Sequence, residues 1–156
     1  MVCLGNICRS PLAEGILQHK VKQYHLNWMV DSAGTNGFHT GESPHPLSQK
    51  VARLNGIDIG RQVSRRLTQS DFSEFDLLIA MADDVVHDMR RIAGPAFPSH
   101  KVKLMTEWLY PDAPIDVPDP WYGPEKGYHE VYQLLNESCE ALIHSCLNGN
   151  LPTETH

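Results

Sequence analysis

Between Phe75 and Met81 every residue except Asp76 is apolar, the pattern of a strand covered on both faces. Such a strand needs helices above and below it, and the rest of the chain supplies them in alternation with further strands. Ser10 reads as an N-cap and Pro11 as the first helical residue, where its missing N–H costs nothing, with Leu12, Ile16, Leu17, Val21 and Tyr24 holding the helical period. Trp28 to Ala33 reads as a strand, followed by the turn-rich Gly34 to Gly37 and a loop through Pro46, a length more often functional than idle. Leu47 to Asn55 reads as a helix stopped by Gly56, Asp83 to Ala93 as a helix stopped by Gly94-Pro95, and Val102 to Met105 as a strand. Tyr110 to Pro124 carries five prolines and three aspartates, an irregular loop before a last helix from about Glu125 to Leu147.

This alternation within 156 residues predicts one three-layer α/β domain: a mostly parallel sheet, helices on both faces, right-handed crossovers and a ligand at the carboxyl ends of the strands. Only Met1 and Val2 precede Cys3, so the strand that feeds the first helix is expected to be a truncated stub. The tail after about residue 148 is expected to be disordered.

Thirteen Lys and Arg against nineteen Asp and Glu give a net charge of −6, which argues against nucleic acid or an anionic membrane as partner. An anionic ligand must then be captured by a local site. No run approaches the roughly 18 apolar residues of a membrane span, and the N-terminus lacks the pattern of a signal peptide, so a cytoplasmic location is expected. A chain of this size does not need disulfides, and Cys3, Cys8, Cys139 and Cys146 are read as free thiols, the last two as packing residues on one face of the final helix. The nine histidines show no metal-ligand spacing and are read as surface residues, with no metal site.

The local site is Cys3-Leu4-Gly5-Asn6-Ile7-Cys8-Arg9-Ser10, a loop entering a helix N-terminus. Backbone N–H groups there lack partners and the helix dipole is positive, so an oxyanion is held. Gly5 and Asn6 tolerate positive φ and let the loop curl into an anion-binding nest, and the Arg9 fork clamps two oxygens at once. A thiolate at Cys3 is stabilised by the same groups, and the Ser10 hydroxyl can donate to its sulfur. A bare Cys-x5-Arg is weak evidence; Gly, Asn, Arg, Ser and Pro each in a useful place make it strong.

A thiolate attacking a phosphate monoester needs an acid for the departing oxygen. Val117-Pro118-Asp119-Pro120-Trp121-Tyr122-Gly123 offers Asp119, stiffened by proline on both sides, beside two aromatics that can wall a slot for a planar ring. Asp112 and Asp116 lack those neighbours and are read as solvated loop charges.

Cys3 to Pro11 together with Asp119 to Gly123 resemble the low-molecular-weight protein tyrosine phosphatases. The likeness spans nearly the whole chain, through Asp31 to Thr35, Gly56-Ile57, Arg65 to Thr68 and Phe75-Asp76. It implies a four-stranded parallel sheet with the phosphate-binding loop at the first strand–helix junction, and no metal or cofactor. The implied reaction is hydrolysis of a tyrosine-phosphorylated protein through a cysteinyl-phosphate, with Cys3 as nucleophile, Arg9 as clamp and Asp119 as acid, then base. Leu4, Gly5, Asn6, Ile7, Cys8 and Ser10 would form or support the cradle together with Ser32. Phe38, Trp121 and Tyr122, with Leu4 and Ile7, would line the aromatic slot. A Cys3–Cys8 disulfide would inactivate reversibly under peroxide, and a monomer is expected.

The chain departs from the family pattern at Gln62, where a histidine often supports the cradle, at Ala82 after Met81, and at His45-Pro46-Leu47, where an Asp-x-Arg pair is common. His39, beside Phe38, would add a cation at the cleft entrance below about pH 6.5. Two rival readings are weighed against this one. A thiol-dependent arsenate reductase needs further relay cysteines, and Cys139 and Cys146 cannot pair without unwinding their helix. Against a catalytically idle phosphate-binding module stand the intact Cys3, Arg9 and Asp119; for it, faintly, stands the short N-terminus, since a destabilised cradle would bind without orienting its thiolate.

Overall fold

The computed structural model describes residues 1–149, so the expected disorder of the tail concerns residues that lie largely outside the described ones. Its elements are β1 (Val2–Cys3), α1 (Arg9–Gln23), β2 (Ala33–Gly34), α2 (Pro46–Leu54), α3 (Asp71–Glu74), β3 (Leu78–Ala80), α4 (Asp83–Ala93), β4 (Val102–Leu104) and α5 (Glu125–Leu147). The four strands form one parallel sheet in the order β2-β1-β3-β4. The two-residue β1 thus occupies the centre, and the loop that leaves its carboxyl end opens where an α/β sheet binds ligands.

Alternation along the strands divides the core into two. Cys3, Ile79 and Met81 face one cluster with Leu12, Ile16, Leu135, Cys139 and Leu142 of α1 and α5. Val2, Leu78, Ala80 and Ala82 face the other, with Phe72 of α3 and Val85 and Met89 of α4. The buried apolar run therefore predicts the right layers.

Boundaries differ where tertiary context decides them. The strand expected over Trp28 to Ala33 shrinks to Ala33–Gly34, because the register Val2↔Ala33 leaves the earlier residues without a β1 partner. The run Phe75 to Met81 pairs only over Leu78–Ala80, since Phe75 closes the short helix α3 that periodicity did not reveal. Ser10 is not the N-cap of α1. Helix α1 starts at Arg9 with Cys8 as cap residue, and the Ser10 hydroxyl is turned to Cys3 and Asn6 instead. Helix α2 starts at Pro46, one residue early, capped by His45 Nδ1, which accepts the Leu47 N–H at 3.1 Å. Gly56 follows with φ 78°, the left-handed stop expected of it.

Candidate active site

The loop between β1 and α1 is held from outside by its carbonyls. Thr35 N–H and Asn36 N–H donate to Cys3 O and Leu4 O, both at 3.0 Å, and His45 N–H donates to Ile7 O at 2.8 Å. Ser64 Oγ donates to Gly5 O at 3.1 Å and Ser48 Oγ to Cys8 O at 3.2 Å. In a trans peptide the N–H points opposite to the carbonyl it follows, so anchoring these oxygens outward aims the next N–H groups into the loop. Asn6 shows the result: with φ 56° its N–H reaches Cys3 Sγ at 3.2 Å. The approach of β2 also needs Gly34, where a Cβ would sit 2.9 Å from Leu4 O.

Behind the loop the Asn6 side chain uses both ends of its amide. Nδ2 donates to Ser10 Oγ at 2.8 Å and Ser32 Oγ at 2.9 Å, while Oδ1 accepts the Arg65 N–H at 3.1 Å. Ser10 Oγ lies 2.9 Å from Cys3 Sγ. Because that oxygen already accepts from Asn6, its own proton is free for the sulfur.

Arg9 is buried and anchored through NH1 to Val117 O at 3.1 Å, with NH2 3.6 Å from Asp119 Oδ2. Asp119 is partly exposed, and its Oδ1 accepts the Trp121 N–H at 3.1 Å. The loop that carries it hooks onto the sheet through Val117 N–H to Met81 O, and onto α4 through Asp116 Oδ1, which accepts the Asp83 N–H. Asp116 is exposed, as a solvated loop charge is, and it also anchors the start of α4.

An open cleft of ≈ 260 Å³ gathers Cys3, Leu4, Gly5, Ile7, Cys8, Arg9, Asp119, Trp121, Tyr122 and Phe38. Asn6, Ser10 and Ser32 do not line it and sit beneath. Phe38 and Tyr122 stand at its rim, 87% and 95% exposed, free to close on a ring. Asn36 and His39 also line the cleft; Asn36 carried no signal in the sequence. His39 and His45 correct the reading of all histidines as surface residues. Both are half-buried against Trp121, with centroids 5.2 and 5.4 Å from its ring. Burial lowers the His45 imidazole from its ordinary value, consistent with a neutral ring whose Nδ1 accepts the Leu47 N–H hydrogen bond.

Cys8 faces Tyr128 Oη at 3.7 Å, and burial pushes its thiol up to about 12 against the pull of that hydroxyl. Gln62 donates to Pro11 O at 3.0 Å and leaves its buried Oε1 without a partner, so it braces the start of α1 and makes no bond to Asn6. Among the described residues no three His, Cys, Asp or Glu side chains are grouped to hold a metal ion, and no helix is long and apolar enough to cross a membrane.

The family model for low molecular weight phosphotyrosine protein phosphatase matches residues 1–151. The chain is similar to the low molecular weight protein-tyrosine-phosphatase YfkJ of Bacillus subtilis, 37% identical over 146 residues and 92% of each chain. To the human low molecular weight phosphotyrosine protein phosphatase it is 34% identical over 145 residues, 91% of this chain and 90% of that one. A crystal structure of a protein tyrosine phosphatase from Entamoeba histolytica, with Hepes in its active site, superposes with TM-score 0.88 at 36% identity, covering 96% of both chains. The chain belongs to the low molecular weight phosphotyrosine protein phosphatases, a family of hydrolases.

Proposed function

We propose that this protein hydrolyses the phosphotyrosine of a protein substrate, as a monomer in the reducing cytoplasm, through a phosphate ester of Cys3. The observation that carries this reading is the placement of Cys3 Sγ at the foot of the cleft, between the Ser10 hydroxyl and the Asn6 N–H, with Arg9 and Asp119 lining the same cleft. The phosphate occupies the ring of loop N–H groups, with the Arg9 fork on two of its oxygens. The Cys3 thiolate forms the S–P bond as the P–O bond breaks, and Asp119, entering as the acid, gives its proton to the leaving phenol oxygen. Asp119, now a carboxylate, takes a proton from water as that water attacks phosphorus. The S–P bond breaks, inorganic phosphate leaves, and Ser10 stabilises the departing thiolate. Leu4, Ile7, Phe38, Trp121 and Tyr122 form the walls that select a flat aromatic ring.

The same thiol is open to peroxide. Oxidation of the Cys3 thiolate to a sulfenic acid reduces the peroxide to water, and attack by Cys8 then forms a disulfide and releases a second water. The buried Cys8 thiol must first lose its proton, so this closure slows as pH falls. Cys139 is fully buried with its thiol pushed up to about 12, which gives no support to a relay of the arsenate reductase kind.

Asp119→Asn tests the acid assignment. The reading expects hydrolysis of phenyl phosphate to slow by about 10²- to 10⁴-fold, and of para-nitrophenyl phosphate, which has the better leaving group, by much less. Equal slowing of both substrates removes Asp119 from that role.

A further inference from the structure

Asp119 must meet a leaving group placed by a different loop, yet its direct hold is light: the Trp121 N–H and a 3.6 Å approach to Arg9. Trp121 is held more firmly. Its indole meets two imidazoles, His39 at 5.2 Å with a 53° tilt and His45 at 5.4 Å edge-on at 73°. Each imidazole is fixed in turn. His39 Nδ1 pairs with the Glu42 carboxylate, so that nitrogen carries the proton. His45 Nδ1 accepts the Leu47 N–H, so its proton is on Nε2, and its ring stacks on Tyr128 of α5 at 5.2 Å and 22°.

Both histidines are registered on the phosphate loop. The His45 N–H donates to Ile7 O. The turn that carries His39 is tied to Ser64 through Gly41 N–H and Glu42 O, and Ser64 Oγ donates to Gly5 O. His39 also packs directly on the loop, since a Cβ on Gly5 would meet its ring at 3.0 Å. These contacts run without a break from the phosphate loop to Trp121, and from its backbone N–H to the Asp119 carboxylate.

We propose that His39 and His45 are positioning residues for the acid step, holding Trp121 through two ring contacts so that Asp119 keeps its place relative to the cradle. The inference rests on Asp119 being the acid. A ring contact of this kind shifts a two-position equilibrium by about 2- to 12-fold. Loss of one imidazole therefore lowers the ratio of molecules with Asp119 in place to those with it displaced by a factor in that range.

The test uses His45→Asn, which keeps a side-chain acceptor for the Leu47 N–H and removes the ring, and His39→Gln, which keeps a donor for Glu42 and removes the ring. The readout is the ratio of kcat on para-nitrophenyl phosphate to kcat on phenyl phosphate, with inhibition by inorganic phosphate reporting on the cradle. The expected result is a ratio raised by each variant, by at most about 12-fold, restored by His45→Phe, and unchanged by either substitution when Asp119 is already Asn. Should His45→Asn lose phosphate affinity, His39→Gln reads the clamp through its other ring contact. A ratio that stays at the wild-type value, while Asp119→Asn raises it, overturns the clamp and spares the acid. If Asp119→Asn itself leaves the ratio unmoved, both assignments fall.

Discussion

Ser10 takes a proton from one neighbour and can give one to another. It accepts from Asn6 Nδ2 at 2.8 Å and lies 2.9 Å from Cys3 Sγ. Ser10→Ala leaves one Asn6 proton unpaired in a buried place and removes the donor proposed to ease thiolate departure. A lost hydrogen bond to a charged group is worth about 1.5–3 kcal/mol, or about 10- to 150-fold in a rate that depends on it. Breakdown of the phosphoenzyme is expected to slow by that factor, so that rapid-quench measurements show the phosphorylated form accumulating; breakdown at the wild-type rate contradicts the role. Residues of this kind were legible in the sequence because Cys3 to Ser10 is one contiguous loop whose geometry is local. Arg65, whose backbone N–H meets Asn6 Oδ1, and His45, whose ring meets Trp121, were not. Their contacts depend on distant segments meeting in space, which no local pattern encodes.

Helix α1 and the segment after α2 are joined at Gly15. Glycine inside a helix costs about 1 kcal/mol relative to alanine, yet a Cβ there would lie 2.4 Å from Ile59 Cγ2. Packing outweighs propensity, and Gly15→Ala is expected to lower the unfolding midpoint in urea; a higher midpoint contradicts this. The segment before α3 is fixed differently. Asp71 takes the Arg65 fork on both oxygens, at 2.9 and 3.1 Å, and the Thr68 N–H at 2.8 Å. Burial pushes the Asp71 carboxyl up, but the Arg65 and Thr68 bonds outweigh it and hold it below the ordinary value. The folded state then binds fewer protons than the unfolded one, so this contribution is complete above pH of about 3.9 and is lost as pH falls through the folded value. Asp71→Asn is expected to destabilise by about 1–3 kcal/mol at pH 7 and by less near pH 3, measured by urea unfolding at both. A difference that does not shrink in acid removes the ion pair as its cause. The element types followed from apolar spacing and stop signals, so α2, α4 and α5 ended within a residue or two of expectation. Strand lengths did not, because pairing partners set them: β2 extends only where β1 offers a residue opposite, and Phe75, read as the start of a strand, caps α3 instead.

At the scale of the whole molecule, the proposed function has a chain of net charge −6 bind an anion because one loop and one arginine outweigh the surface locally. Short strands, none longer than three residues, contribute little by themselves, and helices packed on both faces hold the sheet. Leu135 of α5 is fully buried in the cluster shared with α1. Leu135→Ala is expected to cost about 2–5 kcal/mol of stability while leaving turnover by the folded fraction unchanged. The three-layer order was legible from a single buried run; of the cleft, Trp121 and Tyr122 were legible beside Asp119, while Phe38 entered only through the family resemblance, because the loop after β2 meets the phosphate loop and the proline-rich loop only in the fold. The most direct test of the central claim is para-nitrophenyl phosphate hydrolysis by the wild type and by Cys3→Ser, with reductant and a metal chelator, alongside inorganic phosphate binding by both. Turnover by the wild type alone, with phosphate bound by both, is the predicted result. Turnover by Cys3→Ser at the wild-type rate, or a wild type that binds phosphate without turnover, contradicts it.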